Sequence, residues 1–409
     1  MRKKHFLFAS VLALLCGSST LHAQDFKLTS SGYFKNQGVD VMAFDDIYPE
    51  GHQGGVCIIM NGHRVATNGD IRLEATPGQW QPVPKQLDRK LGDNSITATL
   101  CYPDSSRHLT GFNPMIYPDL HLIYTVNVES KGKNIEVTVD LDRPIPQEFI
   151  GKVGFNLEFF PGSLFGKPWI MDGQSGIFPQ QPNSPLMTTQ PNYLHTGNYH
   201  DGKKSLADMD KLIGKGYSPI VADDIISEPY AKGTKFTSRP DDPYNKVTIE
   251  SLSGDLQLFD GRMNHNNGWF VLRSNIKPGV TKGAVKWIIT PNVVADWMYQ
   301  PVIQTSQIGY HPTQDKEAVI EMDIRDNRKE TAQIIRIDAD GEKVVKNVTP
   351  ANWGKFLRYN YLKVNFTDVK EPGLYKIKYN TSVSPIFRID NDVYALSLIH
   401  ISEPTRLRR

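Results

Sequence analysis

Three cysteines in 409 residues are too few for a disulfide framework. Cys16 falls in the N-terminal apolar run, which leaves Cys57 in "GGVCIIM" and Cys101 in "ITATLCY". Two readings stay open for that pair: a disulfide, which an exported protein permits, or two separate buried thiols. No Cys/His spacing suits structural zinc, and no metal or cofactor is expected. Helical periodicity is also scarce. Its best instance is 203–216, where Leu206, Met209 and Leu212 fall at helical spacing and Gly214 supplies a stop. After the first residues, no apolar run is long enough to cross a membrane as a helix. An excess of one charge is lacking too: 46 basic residues face 44 acidic ones. Removing three basic residues at the start, and three basic and one acidic from Leu396 onward, leaves 40 against 43. That balance gives no reason to expect nucleic acid as a partner.

What is present begins with "MRKKHFLFASVLALLCGSSTLHAQ". Arg2, Lys3 and Lys4 precede a short apolar run, and Ala23 supplies a small residue at a cleavage position, so residues 1–23 read as a secretory signal. Lipidation at Cys16 is disfavoured by the bulky Leu15 before it. The mature chain is expected to be exported, whether periplasmic, on the outer surface or secreted.

Period-two alternation dominates the remainder. Leu122, Tyr124, Val126 and Val128 share one face of a strand, and Ile135, Val137, Val139 and Leu141 share one face of the next, with a turn at 130–133 between them. "KVTIESL", "LQLFDG", "GWFVLRS" and "AVKWIIT" add further strands. The expected fold class is all-β: a large N-terminal β-sandwich region over residues 24–300, of unassigned role, followed by a small immunoglobulin-like β-sandwich over 301–394. A Pro/Asn/Gly-rich stretch, about 173–242, interrupts the first region. In the second, Asp340-Gly341 reads as a hairpin turn.

Three patterns occur in order within the smaller region. "QTSQIGYHPTQDKEAVI" carries Gln307, Gly309, Tyr310 and Pro312. "YLKVNFTDVKEPGLYKIKY" carries Asp368, Gly373 and Tyr375. "SPIFRIDNDVY" carries Ser384, Phe387 and Ile389. Gly309 suits a close backbone approach or positive φ, and Pro312 a place where pairing stops. Tyr310 and Tyr375 can bury their rings while their hydroxyls reach backbone acceptors. Together the patterns resemble the N-terminal immunoglobulin-like domain of glycoside hydrolase family 9, the cellulase family. Ser306 stands where the family usually has Asn, and Thr367-Asp368 where it has a D-F-S-like run.

The resemblance implies a structural role for these residues and no catalytic residue among them. It also implies an (α/α)-barrel catalytic domain that inverts β-1,4-glucans and related polysaccharides with a carboxylate base and a carboxylic acid. The family's D-A-G-D-like motif is not found in this sequence. The polysaccharide substrate would therefore be met by a catalytic domain outside it. Residues 396–409, beginning "LSLIHISEPTR", read as a translated sequencing adapter and are expected to carry no fold.

Candidate sugar-binding residues in the larger region are Glu158, Trp169, Asp172 and Trp269. Glu158 and Asp172 flank "FFPGSLFGKPWIM" and could be paired carboxylates; the alternative makes Glu158 a strand-surface residue and Asp172 a turn residue before Gly173. Trp169 and Trp269 adjoin Gly-containing loops, where rings can stack on sugars or simply pack; Trp287 and Trp297 read as core. His265, in the loop 260–269, reads as a hydrogen-bonding residue, and Asp223-Asp224 supply too few oxygens for calcium. Two alternatives to the hydrolase reading follow: a stand-alone carbohydrate-binding or scaffold protein, and a sugar-active enzyme of the mutarotase-like supersandwich type.

Overall fold

The computed structural model describes residues 25–45, 54–74, 77, 84–102, 122–182, 186–188, 225–263 and 268–395. The signal segment, the helical candidate at 203–216, Asp223-Asp224, His265, Trp80 and the tail 396–409 lie outside them. The described residues are almost wholly strand, with three short 3₁₀ turns. No helix among them is long and apolar enough to cross a membrane. The chain divides into two compact units, Met1–Ala295 and Asp296–Arg409.

The larger unit holds two nine-stranded antiparallel sheets. The first runs, edge to edge, Lys27–Leu28, Phe34–Asn36, Val39–Ala43, Val56–Met60, His63–Leu73, Val153–Phe159, Phe270–Asn275, Leu256–Asp260 and Ala231–Gly233. The second runs Gln174–Ile177, Pro168–Met171, Lys235–Ser238, Val247–Ser251, Val285–Pro291, Asn134–Leu141, Leu122–Lys131, Ser95–Tyr102 and Lys85–Leu91. The edge strand Lys85–Leu91 is charged and largely exposed, which discourages pairing with another chain. Leu186–Thr188 and Ile225–Ser227 form a separate two-stranded ladder.

The alternation read from the sequence becomes contact between the sheets. Phe155 meets Trp287 edge-to-face at 5.0 Å, and Phe159 meets Phe236 at 5.8 Å. The Trp287 Nε1–H donates to Ser274 Oγ, so the indole is buried with its polar atom satisfied. The hairpin Leu122–Lys131/Asn134–Leu141 is tighter than its sequence suggests, because Lys131 pairs with Asn134 and only Gly132-Lys133 form the loop. Neither Cys57, which is buried, nor Cys101 takes part in a disulfide, so of the two readings the separate thiols hold.

The smaller unit packs two sheets. One runs Val302–Gln304, Glu317–Asp323, Tyr359–Asn365, Ala351–Phe356; the other runs Gly341–Val348, Ala332–Asp338, Gly373–Tyr379, with Ser382–Val383 and Phe387–Ile389 also pairing with Gly373–Tyr379. Ile320, Leu362, Val364, Ile334, Ile377 and Phe366 fill the space between them. Asp338 pairs with Gly341, so the hairpin loop is Ala339-Asp340 and Gly341 already opens the return strand, one residue earlier than the Asp340-Gly341 turn expected from sequence.

Candidate functional site

Alternation decides which side chains share a side of the first sheet. Since Phe155 and Phe159 face the second sheet, Asn156 and Glu158 point to the opposite side. Register places Asn156 opposite Asp70 and Arg273, and Glu158 opposite Thr67 and Val271. A bulge at 67–70 re-aims that stretch, as bulges do. The result is a buried polar layer on a sheet whose other side is apolar.

Arg273 organises it. Its Nε–H donates to Asn275 Oδ1 (2.7 Å), Nη1 to Asn156 Oδ1 (3.0 Å) and Glu74 Oε1 (3.3 Å), and Nη2 to the carbonyls of Glu74 (2.9 Å) and Lys152 (3.0 Å). All five guanidinium N–H donors are thereby used. Gly154 makes room, since a Cβ there would stand 2.9 Å from Arg273 Nε and 2.8 Å from the Ser274 carbonyl. Asn156 Nδ2 donates to Glu74 Oε1 (2.6 Å), and Asn68 Nδ2 to Glu158 Oε2 (2.5 Å). Asp70 Oδ1 accepts from the Tyr124 hydroxyl (2.8 Å) and the Ile71 amide (2.7 Å), while Arg72 Nη1 lies 3.8 Å from Asp70 Oδ2. Tyr102 completes the edge beyond the Val56–Met60 pairing by accepting the Leu73 amide at 3.1 Å.

Burial pushes the Asp70 carboxyl up to about 6 against the opposing pull of Arg72 and the Tyr124 hydroxyl. It pushes Glu74 up to about 7 against the pull of Arg273 and Asn156. Tyr102 and Tyr124 are also raised, chiefly by burial. Two acceptor atoms, Asn68 Oδ1 and Asp70 Oδ2, are buried without a hydrogen-bond donor among the described residues.

The four sugar-binding candidates separate. Glu158 is neither on the surface nor paired with Asp172: it is buried in the first sheet, whereas Asp172 turns the hairpin between Pro168–Met171 and Gln174–Ile177 in the second. Asp172 has φ 45°, and its carboxylate accepts from the Thr234 amide and hydroxyl and the Lys235 amide, which lowers its pKa. Trp169 is core rather than a loop platform, only 6% exposed, and its ring lies where a Cβ on Gly176 would be. Trp269 is half-buried, edge-to-face with Phe160 at 4.6 Å. By alternation Phe160 and Trp269 lie on the Glu158–Arg273 side, so the fold unites Glu158 with Trp269. Trp287 is core, but Trp297 is half-buried beside Tyr299.

Asn68, Asp70, Arg72, Glu74, Asn156 and Arg273 were not singled out from the sequence. Their signal was available: "NGDIRLE", "GFNLEF" and "FVLRSN" place polar residues at alternate positions of otherwise apolar strands.

In the smaller unit the motif residues hold the fold. Gly309 has φ 95°, and a Cβ there would meet the Arg388 carbonyl at 2.3 Å. That approach lets the Tyr310 amide reach Arg388 O and the Asp390 amide reach Tyr310 O. The Tyr310 hydroxyl donates to Glu317 O and accepts from the Ser306 amide; that of Tyr375 donates to Glu371 O. Phe387 packs on Tyr310, Phe366 and Tyr375. Pro312 stands in the turn after Tyr310, where its carbonyl accepts from the buried Lys316 Nζ. Gln307 is exposed, and Gly373 opens its strand opposite Ile389. Among the described residues no group of His, Cys, Asp and Glu could hold a metal ion.

Residues 298–384 match the family model of the cellulase N-terminal ig-like domain. No curated protein matches the chain. Among solved structures, a metagenome-derived glycoside hydrolase family 9 endoglucanase is 30% identical over 24% of this chain and 19% of its own, with TM-score 0.22. A Bacteroides ovatus GH9 protein is 26% identical over 23% and 16%, with TM-score 0.20. The Slr1438 protein of Synechocystis sp. PCC 6803 is 10% identical over 71% and 100%, with TM-score 0.29. At these TM-scores the structural matches add no weight. The chain spans less than a fifth of the length of the family 9 structures it matches. The family match falls on the region whose packing Gly309, Tyr310 and Tyr375 secure: residues 298–384 of this chain are a cellulase N-terminal ig-like domain.

Proposed function

We propose that this chain is the non-catalytic N-terminal part of an exported glycoside hydrolase family 9 enzyme, with residues 301–394 as its immunoglobulin-like domain and 24–300 as a preceding sandwich. The observation that carries the reading is the family match at 298–384. The secretory pattern of residues 1–23 supports export. Tyr310, Tyr375 and Lys316 in the smaller unit are tied to backbone groups. That leaves inverting hydrolysis of a β-glucan-type polysaccharide to a catalytic domain with two carboxylates far enough apart to admit water.

The test is to recover the intact gene and assay its product beside residues 24–395. The expected result is a reading frame with a D-A-G-D-like motif and a distal Glu, and hydrolysis of carboxymethyl cellulose by the long protein alone. A frame without those elements overturns the reading, as does hydrolysis by residues 24–395 alone.

A further inference from the structure

We infer that the outer face of the smaller unit's four-stranded sheet binds an uncharged polysaccharide chain. Leu362 and Val364 point into the core, so Tyr359 and Tyr361 on the same strand point away from it. Phe356 stands opposite Tyr359, and a bulge between Asn352 and Gly354 sets Trp353 edge-to-face against Tyr361 at 5.6 Å. Trp353 and Phe356 are 56% and 57% exposed. The segment before the sheet adds two more rings. Tyr299 donates its hydroxyl to Glu321 Oε1 (2.9 Å) and its amide to Asp323 Oδ2 (3.0 Å), and Arg325 Nη2 donates to the Trp297 carbonyl (2.7 Å). Trp297, Tyr299, Tyr359, Tyr361 and Trp353 thus form a continuous row, with successive ring centroids 5.1 to 6.4 Å apart. None of these rings belongs to the unit's core. A row pinned in advance loses little freedom when a ligand settles on it.

The groups between the rings say what fits. Lys363 is paired with Glu317 and Arg325 with Asp323, which gives an anionic chain little to hold. Aliphatic side chains on these strands are few and small, Val302, Val319 and Ala351, so a lipid tail or an apolar helix finds little to cover. Glu321 accepts from the hydroxyls of both Tyr299 and Tyr361, and an ionised carboxylate has further lone pairs for hydroxyl donors. A pyranose matches both kinds of surface, with C–H faces for the rings and hydroxyl edges for Glu321 and the tyrosines. Neighbouring rings are inclined by 48° to 90°, so the row is corrugated and suits one chain laid along it rather than a flat crystalline surface.

The inference goes beyond the family 9 reading, which gives this unit a structural role only, and it can fail while that reading stands. The test is retardation of the full chain in native gels containing hydroxyethyl cellulose, mixed-linkage β-glucan or galactomannan, with polygalacturonate as the anionic control, beside sedimentation of the chain alone. At least one neutral polysaccharide should retard the chain, and polygalacturonate should not. Trp353→Ala combined with Phe356→Ala should weaken that binding about tenfold or more. Both side chains are more than half exposed, so the double variant folds, as an unchanged melting curve will show. Failure of all three neutral polysaccharides to retard the chain overturns the inference. So does equal retardation by polygalacturonate, or retardation that the folded double variant leaves unchanged. Self-association that the double variant abolishes, with no retardation by any polysaccharide, overturns it in favour of a second copy of the chain on this face.

Discussion

Both units use carboxylate–guanidinium pairs, and solvent makes them opposites. In the larger unit Arg273 and Glu74 have side chains 1% and 2% exposed. In the smaller unit the sequence "DIRDNR" builds two Asp-x-Arg clamps. Asp323 and Asp326 each accept from the backbone N–H and the guanidinium of the Arg two residues on. There the carboxylates are 7% and 2% exposed but the arginines 47% and 52%. A half-exposed guanidinium keeps its hydration while it donates, so the clamp gains attraction without burying both charges. Asp323 is accordingly held down to about 2: burial opposes this, but Arg325 and the amides of Arg325 and Tyr299 outweigh it. In the larger unit burial wins, and Asp70 and Glu74 move up instead. The same pairing chemistry thus favours the proton in one unit and excludes it in the other.

The sharpest way to break this contrast is Arg273→Ala, which removes the guanidinium donors from Glu74, Asn156, Asn275 and two backbone carbonyls. We expect a loss of about 3–5 kcal/mol in denaturant unfolding of the larger unit, the range for breaking a buried ion pair. A loss no larger than a surface pair gives would place the network's contribution with the clamps.

Next in size is pH. Asp70 and Glu74 have raised folded pKa values, so their contribution is fully present below the unfolded values of 3.8 and 4.5 and is lost as pH rises through about 6 and 7. A tenfold change in proton affinity corresponds to about 1.4 kcal/mol, so the larger unit should lose roughly 2–3 kcal/mol per group between pH 4 and 8. Asp323 and Asp326 have depressed values, so the smaller unit keeps their contribution above 3.8 and loses it as pH falls toward 2. Hydrogen exchange of the Val153–Phe159 amides against the Glu317–Asp323 amides reads the two separately. Parallel pH responses would remove the distinction.

Asp323→Ala should cost about 1–3 kcal/mol, since it frees the Arg325 guanidinium and leaves the Tyr299 amide unpartnered. The smaller unit's melting transition should move and the larger unit's should not. Trp353→Ala should change stability by no more than about 0.5 kcal/mol, because that indole is 56% exposed and touches chiefly Tyr361. Thermal unfolding checks it against the buried Trp287.

How far the sequence could be read depended on the range of the signal. The 122–141 hairpin and the strands of the smaller unit follow from alternation and local turn residues, and those elements stand where expected. The hairpin loop at 339–340 was misplaced by one residue, because an Asp-Gly pair fixes that a turn occurs but cross-strand register fixes its position. Trp169 and Trp269 look alike locally, each beside glycine. Only the pairing of Trp169 with Gly176, whose missing side chain accepts the indole, makes one core and leaves the other half-exposed.

By itself, the sequence determined the strand content, the apolar stripes and the ordered Gly309, Tyr310, Tyr375 and Phe387 pattern, because period-two alternation and backbone demands are local. The tertiary structure alone decided that Asp70, Glu74, Glu158 and Arg273, up to 203 positions apart in the chain, are buried together where three strands pair. Register and burial are properties of paired strands, and a carboxylate's proton affinity follows from what surrounds it once those strands have met.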